Sequence, residues 1–265
     1  MKVLVVGSSG MLGSEIMKLL GKSGVAADLP VFDVTRLDRV VSAVNGVKPD
    51  VILNTSGITD VDLCERDPET AEKVHHEGIR NLAATEVRLI TVSTDQVFSS
   101  GSGEYLLESD ATEPANIYAA SKLRGEKAAL EYPGNTVVRT SWLFGSNGLL
   151  PWIIRRLLDK GTVTAVTDQT SCITSVDSLA EVLVGMALDK DRTGLYHCVN
   201  KGAVTPFDLA CRVRERIGTG TVIPGLWKQL ALSAPRPVWS ALGTERDIEL
   251  PPLEEVMELC LKKML

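Results

Sequence analysis

The chain has 265 residues, 44% of them hydrophobic and 23% charged, with a formal net charge of −6. That length and composition suit a globular α/β chain that buries its own core without disulfide staples, and an acidic balance with no basic stripe argues against wrapping nucleic acid. The opening run Met1-Lys2-Val3-Leu4-Val5-Val6-Gly7 is too short for a signal peptide, and no window approaches about 18 apolar residues, so a cytoplasmic protein with no membrane span is expected.

In chain order, residues 2–6 form the first strand candidate and residues 11–20 an amphipathic helix. A weaker strand near 25–27 and a helix over 37–44 follow, then a strand at 51–55. Residues 69–84 read as one helix, opened by Asp67-Pro68-Glu69 as N-cap, N1 proline and early acid. Residues 88–94 and 136–140 are strands, with a helix at 118–131 between them. Near-continuous apolar strands alternating with helices predict a doubly wound parallel sheet covered on both faces.

Beyond about Trp142 the rhythm loosens: a helix over 149–159, a strand at 162–166, a helix over 176–188 and a strand at 194–199. Thr205-Pro206 caps a helix running to Ile217, and an apolar stripe through Leu253, Val256, Met257, Cys260, Leu261 and Met264 marks a closing helix. The division expected is a dinucleotide-binding domain over 1–145, with a returning segment near 175–200, and a smaller α/β subdomain over 146–265. The five cysteines (Cys64, Cys172, Cys198, Cys211 and Cys260) are scattered without a C-x-x-C pair, which reads as reduced, mostly buried thiols rather than a metal or disulfide framework. The adjacent His75 and His76 would not share a helix face, so no metal is expected there.

Three motifs carry chemistry. Gly7-Ser8-Ser9-Gly10-Met11-Leu12-Gly13 joins the first strand to the first helix, where glycines let the backbone approach a pyrophosphate and the helix N-terminus favours its charge. Asp28, about 20 residues on, is placed to bond the adenosine ribose. Leu29 and Pro30 follow it instead of an arginine that would take a 2′-phosphate, which leans the reading toward NADH over NADPH. Tyr118 and Lys122 share a helix face, so the ammonium should bring the tyrosine pKa down toward neutrality, and Ser93-Thr94 at the end of the preceding strand offers a further hydroxyl.

With these motifs stand Asp33-Val34-Thr35, the 49–54 segment Pro-Asp-Val-Ile-Leu-Asn, Ser93-Thr94-Asp95-Gln96-Val97-Phe98, Arg139-Thr140-Ser141-Trp142, Asp168-Gln169, the 194–197 segment and Ala234-Pro235-Arg236-Pro237. In this order, over nearly the whole chain, they resemble the dTDP-4-dehydrorhamnose reductase family of extended short-chain dehydrogenases. The S-T-D-x-V-F and R-T-S-W strings are the most specific. The resemblance implies a Rossmann-type fold with a C-terminal substrate-binding subdomain. It further implies NADH- or NADPH-dependent reduction at C4 of dTDP-4-dehydro-6-deoxy-L-mannose to dTDP-L-rhamnose. Tyr118 would protonate the developing alkoxide, Lys122 would hold the nicotinamide ribose and depress the tyrosine pKa, and Thr94 would orient the reacting oxygen. Gly7, Gly10, Met11, Leu12 and Gly13 would line the pyrophosphate, and Asp33 and Val34 would flank the adenine. Asn54, Ser56 and Ser93 would lie along the cofactor, while Asp95, Gln96, Trp142 and Arg236 would face substrate, with Arg236 on the diphosphate. Some relatives bind Mg2+ at a dimer contact. Only Glu15 matches such a position, which gives no basis for a metal and leaves a homodimer open.

The sequence departs from the family at Gln96, usually tyrosine, at Ala119, usually glycine, in a shortened 81–88 segment, at 148–152 and at 170–174. These departures touch the substrate side, so two other readings stay open. One is a reductase or epimerase of another nucleotide-linked keto sugar. The other is a non-catalytic regulatory subunit resembling that of methionine adenosyltransferase, against which the retention of Tyr118, Lys122 and Thr94 counts.

Overall fold

A computed structural model describes residues 1–99, 101, 103–230 and 232–265. Strands β1 (Val3–Val6), β2 (Gly24–Ala27), β3 (Val51–Asn54), β4 (Leu89–Thr94) and β5 (Thr136–Thr140) form a parallel sheet completed by β10 (Gly194–His197). Its order is β10-β5-β4-β3-β1-β2. The two-residue period of a strand divides the apolar side chains between its faces. Val3, Val5 and Leu53 pack on one side with Leu12 and Ile16 of α1 (Met11–Leu20) and with Leu179 and Leu183. Leu4, Val6 and Ile52 pack on the other, with Val40 of α2 (Leu37–Val47) and with Leu82 and Ala129.

The chain leaves β1 for β2 on one side and crosses to β3 on the other. The crevice at this switch point, beyond the carboxyl ends of the strands, is where doubly wound sheets bind ligands. Gly7, Asn54 and Thr94 all lie at that end.

After α3 (Val61–Arg66), the helix expected over 69–84 is present: α4 (Pro68–Glu72), a wide π turn at Lys73–Glu77 and α5 (Gly78–Ala83) follow one another without a break, and only the π turn was not expected. The cause is α6 (Ile117–Leu130), which lies directly on that turn: a β-carbon on Gly125 would stand 2.1 Å from the His75 carbonyl oxygen. A wide turn with its carbonyl against a glycine lets the two helices touch backbone to backbone.

After β5 come β6 (Leu143–Phe144), α7 (Leu149–Lys160), β7 (Thr162–Val166), β8 (Ser171–Cys172) and β9 (Thr174–Ser175). Helix α8 (Val176–Leu188) returns to pack on α1 and delivers β10 to the sheet edge. The short strands β11 (Asn200–Lys201) and β12 (Ala203–Val204), α9 (Pro206–Ile217), β13 (Thr221–Gly225), β14 (Leu250–Pro252) and α10 (Leu253–Met264) finish the chain. Helices α7, α9 and α10 enclose a second core around Ile153, Leu157, Val163, Leu209, Val213 and Met257. Cys64, Cys172, Cys198 and Cys260 are buried thiols and Cys211 is half-buried. Among the described residues no helix is long and apolar enough to cross a membrane.

Candidate active site

The glycine loop opens the site. Gly7 sits at φ +78°, and a β-carbon there would meet the Ser56 backbone nitrogen at 2.8 Å; one on Gly13 would meet the Gly7 carbonyl oxygen at 2.1 Å. Both positions are therefore closed to any side chain, and the loop lies flat on the first turn of α1. Gly10 caps that helix without a side-chain bond, and the first turn carries no acid. Unmasked N–H groups and the positive end of the dipole thus face the cleft, as a pyrophosphate requires.

Two cavities run together here. One, of about 300 Å³, holds Gly7, Asp28, Asp33, Val34 and Ser56; the other, of about 460 Å³, holds Met11, Leu12, Ser56, Thr94, Tyr118 and Lys122, and both share Gly10 and residues 55–58. Asp28 stands at the first end. Burial opposes its charge, yet the Ser9 hydroxyl and N–H, at 2.6 and 2.7 Å from Oδ2, hold its pKa below the usual carboxylate range. Asn54 is placed differently from the expectation. It is buried, donates to Thr91 Oγ1 at 3.0 Å and accepts from the Ser56 hydroxyl at 2.6 Å, so it braces Ser56 without lining either cavity.

Tyr118 enters from the first turn of α6, capped by Asn116, whose Oδ1 accepts from Ala119 N–H at 2.8 Å. Tyr118 and Thr94 line the same cavity, and the Thr94 side chain favours the charged form of the tyrosine. The lowered tyrosine pKa expected from the sequence is not found. Burial dominates and, with Asp95 and the Cys64 thiol nearby, pushes Tyr118 up to about 12, with Thr94 acting in the opposite direction. Lys122 Nζ is instead given to the Val92 carbonyl at 2.7 Å, and burial brings its own pKa down to about 8. The tyrosine is therefore held as a protonated acid.

Behind these groups lies a network that the sequence motifs did not announce. Ser93 Oγ donates to Glu126 Oε1 at 2.5 Å, and Glu126 takes the Arg139 guanidinium at 2.8 Å, both side chains being almost fully buried. Glu126 lies one turn beyond Lys122, so this network ties α6 to β4 and β5. Asp95, expected to face substrate, lines the cleft but is fully buried. It accepts from the Ser171 and Ser240 hydroxyls at 2.7 and 2.6 Å, and burial raises its pKa. Gln96 lines the cleft and accepts from Asn116 Nδ2 at 3.1 Å.

Trp142 lies between the catalytic cavity and a third, apolar groove of about 620 Å³ bounded by Trp152, Gln169, Leu226 and Gln229. Arg236 does not join it. Its guanidinium pairs with Asp62 at 2.7 Å, and Asp62, held down to about 2, also takes the backbone N–H of Ser233 and Ala234. The carboxylate on α3 outcompetes the open cleft for this arginine, which fastens the 233–236 strap beside the entrance.

A doubly wound sheet with a phosphate-ready glycine loop, a Tyr-x-x-x-Lys pair and a hydroxyl on the facing strand defines an NAD(P)H-dependent oxidoreductase of the extended short-chain dehydrogenase type. Residues 1–264 match the family described as RmlD substrate binding domain. The chain is 35% identical to the dTDP-4-dehydrorhamnose reductase of Streptomyces griseus over 260 residues, covering 92% of this chain and 86% of that one. The crystal structure of a dTDP-4-dehydrorhamnose reductase from Clostridium acetobutylicum superposes with a TM-score of 0.92 at 30% identity and full coverage of both chains. That from Bacillus anthracis, solved in complex with NADP, gives 0.92 at 26% identity and covers 99% of this chain and 100% of that one. This chain belongs to the dTDP-4-dehydrorhamnose reductase family.

Proposed function

We propose that the protein reduces dTDP-4-dehydro-6-deoxy-L-mannose to dTDP-L-rhamnose, with Tyr118 as the proton donor. The observation that carries this is the convergence of Tyr118, Thr94 and Lys122 on one cleft that runs without a break from the glycine loop. What a bound reduced nicotinamide supplies is a hydride to the sugar carbonyl carbon. The remaining work falls to the chain's own residues. Gly10, Met11, Leu12 and Gly13 bind phosphate through backbone N–H groups. Thr94 and Tyr118 hold the carbonyl oxygen, and Tyr118, protonated until about pH 12, gives its proton as charge develops there. Lys122 presents a buried ammonium toward the ribose hydroxyls.

The adenosine end favours NADH. Asp28 stands there as an anion held by Ser9, and none of the described residues lining that cavity is basic, so a 2′-phosphate would meet repulsion without a partner. On the substrate side, Trp142 separates sugar from nucleotide, and the apolar groove beyond it takes the thymidine end. Gln96 at the cleft wall is placed to bond a sugar hydroxyl, while Asp95 and Arg236 act at one remove, by fixing Thr94 and the 233–236 strap.

The test is turnover of enzymatically generated dTDP-4-dehydro-6-deoxy-L-mannose, with NADH and NADPH oxidation followed separately and the product identified by mass and NMR. Formation of dTDP-L-rhamnose at a higher kcat/KM with NADH is expected. Cofactor binding without oxidation would reject this substrate, and a preference for NADPH would reject the assigned role of Asp28.

A further inference from the structure

We propose that His75 is a positioning residue that fastens the cleft-floor loop at Ile58 to the catalytic helix α6, so that the cofactor side of the cleft and Tyr118 are held as one unit. This rests on the reading of Tyr118 as proton donor.

His75 is 1% exposed and sits at the centre of the π turn. The Ile58 N–H donates to its Nε2 at 2.9 Å, so that nitrogen carries no proton and the proton of the neutral ring is on Nδ1. Nδ1 then donates to Ser121 Oγ at 2.9 Å, and Ser121 Oγ donates to the Tyr118 carbonyl at 2.9 Å. The three bonds run in one direction, from the loop through the ring to the first turn of α6. The imidazole also meets the Tyr118 ring edge to face, with centroids 5.5 Å apart and planes at 85°. A β-carbon on Gly57 would stand 3.4 Å from His75 Nε2 and 3.8 Å from Lys122 Nζ, so the loop lies over the histidine and the lysine together.

The directionality depends on the ring staying neutral. Burial and the Lys122 ammonium bring the His75 pKa down to about 3, so the arrangement holds across ordinary pH. Residues 55–58 line both the adenosine and the catalytic cavities. A side chain that ties this loop to the residue bearing the acid therefore couples cofactor binding to proton delivery.

Three variants test this: His75→Phe, which fills the space without polar atoms; His75→Gln, whose oxygen can accept from Ile58; and Ser121→Ala, which cuts only the link to Tyr118. Cofactor Kd is read by fluorescence titration with no sugar present, and kcat at saturating cofactor. On the scale of one lost buried hydrogen bond, His75→Phe is expected to weaken cofactor binding about tenfold and to lower kcat about tenfold. His75→Gln should restore Kd but not kcat, and Ser121→Ala should lower kcat while leaving Kd in place. Nitrogen-15 NMR of the unaltered protein should show a neutral imidazole protonated at Nδ1. Should His75→Phe not fold, the Gln and Ala variants still separate the two halves of the link. Kd and kcat within twofold of the unaltered protein in all folded variants would overturn the proposal, as would the opposite tautomer or equal losses in every variant alongside a lowered Tm. Because Kd is measured without sugar, a wrong substrate assignment would show as an inactive unaltered protein whose Kd still responds to these substitutions.

Discussion

Removing the Glu126 carboxylate with Glu126→Ala should unfasten α6 from the sheet. Glu126 and Arg139 leave only 3% and 5% of their side chains exposed. Arg139 donates to both carboxylate oxygens through Nε and Nη2, and Ser93 adds a third donor. Its remaining contacts are a 3.3 Å bond to His197 Nε2 and the face of Phe98 at 5.1 Å, neither of which carries negative charge. The variant therefore strands a buried guanidinium, which costs about 3–5 kcal/mol. For a chain of this size that corresponds to a Tm lower by roughly 10 °C. Urea unfolding of Glu126→Ala, Arg139→Met and the double variant forms a thermodynamic cycle. The double variant, which buries no unpaired charge, should recover at least half of the loss. A single-variant cost below about 1 kcal/mol, or strict additivity in the cycle, would mean that the Glu126–Arg139 pair does not anchor α6.

Other outcomes follow from the same geometry. Lys122, brought down to about 8 by burial, is an ammonium below that pH and a neutral amine above it, whereas Tyr118 keeps its proton to about 12. The kcat/KM for reduction should thus fall as pH rises through about 8 in the unaltered protein and stay flat over that range in Lys122→Arg; a flat profile to pH 10 in the unaltered protein contradicts this. His75 has a folded pKa of about 3 against 6.5 when unfolded. The unfolded chain therefore takes up a proton first, and stability is lost as pH falls from 6.5 toward 3, by about 1.4 kcal/mol per unit. His75→Gln should flatten this slope between pH 6.5 and 5, as read by denaturant midpoints. Gly125→Ala would set a β-carbon 2.1 Å from the His75 carbonyl oxygen. It should cost about 1–3 kcal/mol or more by overpacking and should raise the cofactor KM, whereas unchanged stability and kinetics would mean that α6 is not seated as described.

Much of this was legible in the chain itself because it depends on local pattern. Strand and helix periods gave the sheet, the glycines gave the tight turn from β1 into α1, and Asp67-Pro68 and Thr205-Pro206 gave helix starts that the structure places there, with side-chain caps to Thr70 and Asp208. What escaped was set by distant partners. The π turn at His75 faces Gly125, 50 residues further along, so periodicity gave the helix but not the turn within it. The Tyr118 pKa turns on burial rather than on the four-residue spacing, and Lys122 is bonded to Val92. Arg236 carries a charge suited to phosphate, but Asp62, 174 positions earlier, takes it. No sequence motif marks Glu126, and only the fold brings Arg139 and Ser93 onto it.

Replacing Tyr118 tests most directly whether it is the proton donor proposed above. Tyr118→Phe keeps the ring, its packing against His75 and the cofactor cradle, and removes only the hydroxyl. This variant is expected to bind NADH with an unchanged Kd while kcat for the keto sugar falls by at least about a hundredfold, the scale of a lost general acid. A folded Tyr118→Phe protein that turns over within a few-fold of the unaltered rate would contradict that role.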